Sequence, residues 1–478
     1  MPTVQAQGIV LSQAESSGDV QARSEAAARH SDSAGAGDLL GVIHNLPLEV
    51  LSKIFLLVLP TDLELHKKSH MLLDQRSRLI NPFLLCSICS AWRTLALTTP
   101  QLWRRVFIHI SSQTPITNDI GHSKADDLSQ WIQRSGSLPL TLYFTYDAYI
   151  EPVRLDETGP IAPIVDVLTR YAARWEAFYL QSPVHDEWTF NPLPNLFCLD
   201  GWSSLRRVSL HEIDRGDKTT IPWAQLTHLE VGLTFFFELV VDTLRECQEL
   251  TWLSISVYQA ELSGPPLVFP NLVTLHLTTY HDLVVVMNSI SLPSLREMFI
   301  SRVIPDEEDE VESLLGFLTR SACALDKLEI GEDIFTEGNL VHVLAHQCCN
   351  SLTSLTINGR FVSRYNIIED EFFERLSLYH EKPLCPHLRF LKLEHCQVGC
   401  SAALLGMVKS RIEFPAGDGR FHFLCLEMKH FTHGQELEEI IKGSGMDYTL
   451  RREPENSVTE YKVWLDGRMC IPDSIQFE

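Results

Sequence analysis

The dominant pattern along the chain is a six-residue frame, apolar-x-x-apolar-x-apolar, that recurs from about residue 165 onward. It reads WEAFYL from Trp175, LRRVSL from Leu205, LTHLEV from Leu226, LTWLSI from Leu250 and LVTLHL from Leu272. It continues as LREMFI from Leu295, LDKLEI from Leu325, LTSLTI from Leu352, LRFLKL from Leu388 and FHFLCL from Phe421. The last two apolar positions alternate with their neighbours, which predicts a short strand with one buried face. Between the frames lie apolar segments of helical texture, among them FELVVDTLREC, EVESLLGFLTRSA, NLVHVLAHQC, DEFFERLSLY and SAALLGMVKS.

Successive frames begin 21 to 36 residues apart. Most of these spacings fall in or near the ~20–29-residue period of leucine-rich repeats. Each strand–helix unit leaves apolar surface that only its neighbours can cover, so the units are expected to stack as a solenoid of parallel inner strands and outer helices. The asparagine that often follows the frame in regular repeats is mostly absent, so the array is expected to be irregular. The fold class is therefore α-β repeat of the α+β kind: a small N-terminal helical module followed by an irregular leucine-rich-repeat solenoid. Residues 1–38, rich in Ala, Ser, Gly and Gln without apolar periodicity, are expected to form a disordered arm. The helical module then spans 39–110, a linker and first cap 111–170, the repeats 171–435 and a C-terminal cap 436–478.

In the module, LLGVIHNLPLEVLSKIFLLVLP sets Leu46, Val50, Leu51, Ile54, Phe55 and Val58 on one stripe at helical spacing. Pro47 suits the first turn, with Asn45 or its neighbour as cap, and Pro60 ends the helix. The polar stretch 61–80 is expected to be a loop or short insertion. A second helix, NPFLLCSICSAWRTLAL, opens at Pro82 and lines up Leu85, Ile88, Cys89, Trp92 and Leu95 or Ala96 on one face, with Arg93 outside. TTPQLWRRVFIHI then turns and leads into a strand.

The order Leu46-Pro47-x-Glu49-Val50-Leu51-x-x-Ile54-Phe55, then Leu85-x-x-Ile88-Cys89-x-x-Trp92-Arg93-x-Leu95-Ala96, then Pro100-x-Leu102-Trp103, resembles the F-box. The likeness covers about residues 43–108, with a longer first linker than in the shortest members of that family. The segments DLSQWIQRSGSLPLTLYF and LTRYAARWEAFYLQSP are similar to a fungal subgroup of F-box proteins with divergent leucine-rich repeats. The resemblance implies a Skp-type adaptor as partner, through it a cullin–RING ubiquitin ligase, and a target protein held by the repeats. It places Leu46, Pro47, Ile54, Cys89 and Trp103 against the adaptor. Val50, Leu51, Phe55 and Trp92 join that set as residues equally compatible with contact or internal core. Physically, a module of roughly 50–60 residues has little core of its own, and exposed Leu, Ile, Phe and Trp are unfavourable unless a partner covers them.

Composition narrows the alternatives. A chain of 478 residues exceeds one core of ordinary size, so two domains or a repeat array are the default. The net charge, 39 − 62 = −23, repels phosphate backbones and anionic lipid; neither nucleic acid nor membrane is an expected partner, and any steering favours a basic one. No apolar run approaches the ~18–20 residues of a membrane span, and the first residues lack a secretory pattern, which places the chain in the cytoplasm, the nucleus or both. The twelve cysteines sit mostly inside apolar runs, where a reduced thiol packs as a small hydrophobe. Cys86-x-x-Cys89 has redox or half-zinc-knuckle spacing but no second pair. Cys385-Pro-His387 and His395-Cys396 flank a strand that holds them apart at ~3.3 Å per residue. No metal, cofactor or catalytic residue is expected, and no G-x-S-x-G, H-E-x-x-H or Walker loop occurs. The acidic run PDEEDEVES reads as a solvated turn, with docking of a Lys/Arg-rich segment as the sharper alternative.

Target recognition is expected on the side chains that alternate outward from the frame: Arg207, Ser209, His228, Glu230, Trp252, His276, Phe299, Lys327, Phe390 and Lys392. The expected function is non-catalytic substrate recognition for a ubiquitin ligase, the alternative being a non-ligase interaction scaffold built on the same repeats.

Overall fold

The computed structural model describes residues 46–59, 82–110, 117–146, 161–181, 201–210, 221–260, 265–281, 283–302, 310–331, 336–358, 367–394, 397–398, 402–413, 423–428, 434–444, 447–452, 463–465 and 468–470. The chain divides into two compact units, residues 1–209 with 216–222 and 462–478, and residues 210–215 with 223–461. The expected arm 1–38, the insertion 61–80, Asn45, Pro60, His395, Cys396 and Phe421 lie outside the described residues.

The first unit opens with α1 (Leu48–Val58), α2 (Pro82–Ile88), α3 (Ser90–Leu97) and a 3₁₀ turn at Pro100–Trp103. Pro47 is the cap of α1 rather than part of its first turn; its carbonyl accepts the N–H groups of Val50 and Leu51, both at 3.0 Å. The single second helix expected from Pro82 is two. Cys89 adopts an extended backbone (φ −156°, ψ 170°), and its Sγ accepts the Trp92 N–H at 3.4 Å, so the cysteine ends one helix and caps the next. Then β1 (Arg105–Ile110), α4 (Asn118–Arg134), β2 (Leu140–Tyr146), α5 (Ala162–Arg170), β3 (Trp175–Gln181) and β4 (Arg207–Leu210) follow. In α4, Thr117 caps the start and Asp119 and Arg134 complement the helix dipole, while Ala125, Leu128, Trp131 and Ile132 form its buried stripe. Strands β1 to β4 pair in chain order, all parallel. Strand–helix alternation therefore starts at residue 105, ahead of the first frame.

The second unit carries β5 (His228–Phe236), α6 (Glu238–Glu246), β6 (Trp252–Gln259), β7 (Thr274–Thr279), α7 (Leu283–Ser289), β8 (Glu297–Arg302) and α8 (Glu310–Ser321). It continues with β9 (Lys327–Gly331), α9 (Glu337–Leu344), β10 (Ser354–Asn358), α10 (Asp370–Leu376), β11 (Phe390–Glu394), α11 (Ala402–Glu413), β12 (Phe423–Met428), α12 (Gly434–Ser444) and β13 (Asp447–Arg452). Each strand again pairs parallel with the next in sequence. A parallel pair needs a crossover, and helices supply it between all of these neighbours except β6 and β7, whose described connection carries only the short strand Leu267–Val268. All five quoted separators are helices, α6, α8, α9, α10 and α11. A register shift between Val231 and Leu233 makes the β5–β6 pairing irregular. Apart from this architecture, Val463–Leu465 and Arg468–Cys470 form a small antiparallel pair.

The frame residues are the core. Trp175, Leu205, Leu226, Leu250, Leu272, Leu295, Leu325, Leu352 and Leu388 are all buried, as are the alternating strand positions that follow them. Successive repeats are also stitched at the point where each strand begins. The carbonyls of Thr227, Thr251, Val273, Arg296, Asp326 and Thr353 each accept two backbone N–H groups from the following repeat. One charge is built into the interior: Arg411 of α11 is buried and donates to the carbonyls of Leu376, Leu384, Cys385 and Leu388. Burial pushes its guanidinium down to about 10, still far enough above neutrality that it remains the cation those oxygens require.

Candidate functional site

Two surfaces stand out, one in each unit. In the front helices, Leu51 and Phe55, one turn apart, are the residues of α1 that face the module's core. Their stripe was expected to include Val50, Ile54 and Val58, but these three are exposed, because the apolar arc of α1 is wider than the small core it meets. Leu48, Leu57 and Val58 are 61%, 84% and 63% exposed, and Leu84 and Ile88 of α2 are 54% each. Of the fourteen large apolar side chains exposed among the described residues, nine lie between Leu48 and Leu97.

The expected adaptor set thus separates. Pro47, Val50 and Ile54 are exposed, and Leu46, Cys89 and Trp92 are half-buried. Leu51 and Phe55 are core, with the Phe55 ring 4.8 Å from that of Trp92. Trp103 corrects the expectation outright. It is fully buried, its Nε1–H donates to the Ala96 carbonyl at 2.8 Å, and it packs edge-on against Phe83 and Trp131 at 5.2 and 4.9 Å. The Arg134 guanidinium lies 4.8 Å from its ring centroid, and Trp131 Nε1–H donates to its carbonyl at 3.0 Å. The 3₁₀ turn after Pro100 aims this side chain at α4, a long-range partner that a motif reading of the module does not contain. Leu57, Leu84 and Ile88 were absent from the expected set; the signal for Leu57 was the run IFLLVLP, too continuous for one buried stripe.

In the second unit the outward positions behave as the alternation predicts. Along β6, β7 and β9, half-buried residues alternate with buried ones. His228, Trp252, His276, Phe299 and Lys327 form a ladder across β5 to β9. His228 and Trp252 are stacked with centroids 6.1 Å apart, Trp252 and His276 are tilted by 46° at 5.3 Å, and His276 and Phe299 are stacked at 3.8 Å. The Lys327 ammonium sits over Phe299, 4.4 Å from the centroid. Glu230 faces the same side on β5. Phe390 is exposed and opposite Ser354, which separates it from Lys327, and Lys392 pairs with Glu394 at 2.8 Å. Arg207 and Ser209 belong to the first unit, where Arg207 and Arg104 each bind Glu176 at 3.2 Å. A second aromatic stack, Phe107–Tyr143–Tyr179, runs across β1, β2 and β3 with 4.7 Å between successive rings. It was legible as aromatics at equivalent alternating positions in VFIHI, LTLYF and AFYL.

The buried thiols Cys86, Cys247, Cys323, Cys348, Cys349 and Cys385 are held toward the protonated form. Burial pushes Cys247, Cys323 and Cys385 up to about 12 and Cys349 higher still, and it also raises Cys86 and Cys348. Among the described residues, no group of three His, Cys, Asp or Glu side chains is arranged to hold a metal ion, and no helix is long and apolar enough to cross a membrane. Glu310, the described start of the acidic run's helix, is buried at the first turn of α8. No family model matches this chain, and no curated protein sequence matches it.

Proposed function

We propose that the chain is the substrate-recognition subunit of a Skp–cullin–F-box type ubiquitin ligase. Its front helices, an F-box with a longer first linker, bind a Skp-type adaptor, and its leucine-rich repeats present a target protein. The observation that carries this reading is the exposed apolar set on α1 and α2, headed by Leu57, Val58, Leu48, Leu84 and Ile88 and including Ile54. Helices this short do not leave such residues in water without a covering chain, and apolar anchors at the centre of an interface supply most of its energy. Trp103 acts in this reading as the post that fixes the module against α4, not as a contact. The protein performs no covalent step. It raises the effective concentration of target lysines near the charged conjugating enzyme, in the cytoplasm or nucleus where that machinery works.

Co-purification with a Skp-type adaptor tests the proposal. The parent chain is expected to retain the adaptor, and Ile54→Asp with Leu57→Asp to release it while the chain stays folded. Failure of the parent chain to retain any adaptor overturns the ligase reading. It leaves the non-ligase scaffold, which the inward Trp103 favours because it removes one of the two tryptophans, Trp92 and Trp103, of the expected adaptor set.

A further inference from the structure

We propose that His346 is an acid-sensitive latch at the seam between two repeats: the fold holds its ring in the neutral form, and protonating the ring releases the turn that leads into β10. The device acts within the second unit and needs neither adaptor nor target.

His346 stands between α9 and a 3₁₀ turn, Gln347–Cys349, and caps that turn with its side chain. Its Nδ1 accepts the Cys348 N–H at 3.3 Å, so Nδ1 carries no proton. A neutral imidazole then bears its hydrogen on Nε2, which lies 3.1 Å from Thr319 Oγ1 on α8. The Thr319 hydroxyl sends its own proton to the Leu315 carbonyl at 2.8 Å, which leaves its oxygen to accept Nε2–H. Both ring nitrogens are thereby committed, one as acceptor and one as donor. An imidazolium donates from both, so a proton on Nδ1 sets donor against donor at Cys348 and the cap is lost.

The capped turn is a joint. Cys348 is buried, its Sγ donates to the Leu318 carbonyl of α8 at 3.4 Å, and its carbonyl accepts the Leu325 N–H at 2.9 Å, at the entry to β9. The Cys349 N–H returns to the His346 carbonyl at 2.9 Å, and Cys349 O accepts the N–H of Leu352, which opens the next frame. Losing the cap therefore loosens α8, the turn and the start of β10 together.

The charged groups around the ring have other partners or lie far off. On α8, Arg320 is spent on the carbonyls of Met287 and Ile290, and Glu310 and Glu312 lie about 10 Å or more along the axis from Thr319. On α9, Glu337 accepts the N–H groups of Glu369 and Phe372, and His342 is exposed one turn before the ring. Asp326, before β9, pairs with Arg296 at 3.8 Å. Cys323, Cys348 and Cys349 are thiols that burial keeps protonated. Burial lowers the pKa of His346 itself. The unfolded turn thus binds the proton more tightly than the folded one. The latch is closed above the ordinary histidine value of ~6.5 and opens as the pH falls through the lower folded value.

Hydrogen–deuterium exchange of the full chain tests this, read by mass spectrometry on the peptide from Leu344 to Leu352 at about pH 7.5 and about pH 6 and corrected for the intrinsic pH dependence of exchange. In the parent, corrected exchange of this peptide is expected to be about two- to threefold faster at the lower pH. His346→Asn and His346→Asp each keep a side-chain oxygen for the Cys348 N–H and do not titrate in this range, and both are expected to abolish the difference. His342→Asn, on the same helix, is expected to retain it. The proposal is overturned if the parent peptide exchanges equally at both pH values, if either His346 variant keeps the acid response, or if His342→Asn removes it.

Discussion

Leu57 of α1 and Leu355 of β10 carry the same side chain, one 84% exposed and the other fully buried. The difference lies in what surrounds each element. Leu355 sits in a strand paired on both sides and backed by helices, so every apolar position on its inner face has a neighbour. Leu57 sits on a helix in a stretch that puts Phe55 and Leu51 into its small core and has nothing left to cover the rest. Repetition closes a surface from within; the short helices of the first unit leave part of their apolar surface open.

That contrast sets the scale of several outcomes. Leu355→Ala removes buried volume from a site that neighbouring strands hold rigid, and a loss of about 2–5 kcal/mol in urea unfolding is expected. Next in size is the response to alkali. Cys247, Cys323 and Cys385 are raised from 9.0 to about 12 in the fold, so the unfolded chain gives up these protons first. Their contribution is complete below about pH 9 and is lost as the pH climbs toward the folded values, on the order of 1 kcal/mol per thiol at about pH 10. Thermal melts between about pH 8 and about pH 10 check this, and a flat profile contradicts it. Smaller again, Ala322 ends α8 with φ +47°, a left-handed position that favours glycine, so Ala322→Gly is expected to raise stability by up to about 1 kcal/mol. Smallest of all, Leu57→Ser is expected to leave stability within about 0.5 kcal/mol of the parent while reducing self-association. A Leu57 effect as large as that of Leu355 erases the comparison.

The repeat frame was legible because its period is short and its chemistry is local. The opening residues from Trp175 to Leu388, the alternating apolar positions that follow them and the five helical separators all follow from nearest neighbours, and the structure places them as the pattern predicts. The ladder of His228, Trp252, His276, Phe299 and Lys327 followed from the same alternation, although only the register brought the residues together. What the pattern missed depends on contacts distant in sequence or on one backbone angle. Trp103 turns inward because α4, some thirty residues later, offers Trp131 and Arg134. The helix expected from Pro82 breaks at Cys89 because one residue takes an extended conformation and spends its sulfur on a cap. Strand β2 stands outside the frame because Pro139, not leucine, occupies the position three residues before Leu142.

Strand order in the second unit also bears on how the protein is made. Each new strand pairs with the one translated just before it, so a chain leaving the ribosome meets its template already formed and waits for nothing downstream. A stalled or truncated product is then expected to hold its completed repeats while exposing one raw β edge, the surface by which chaperones and proteases would recognise it.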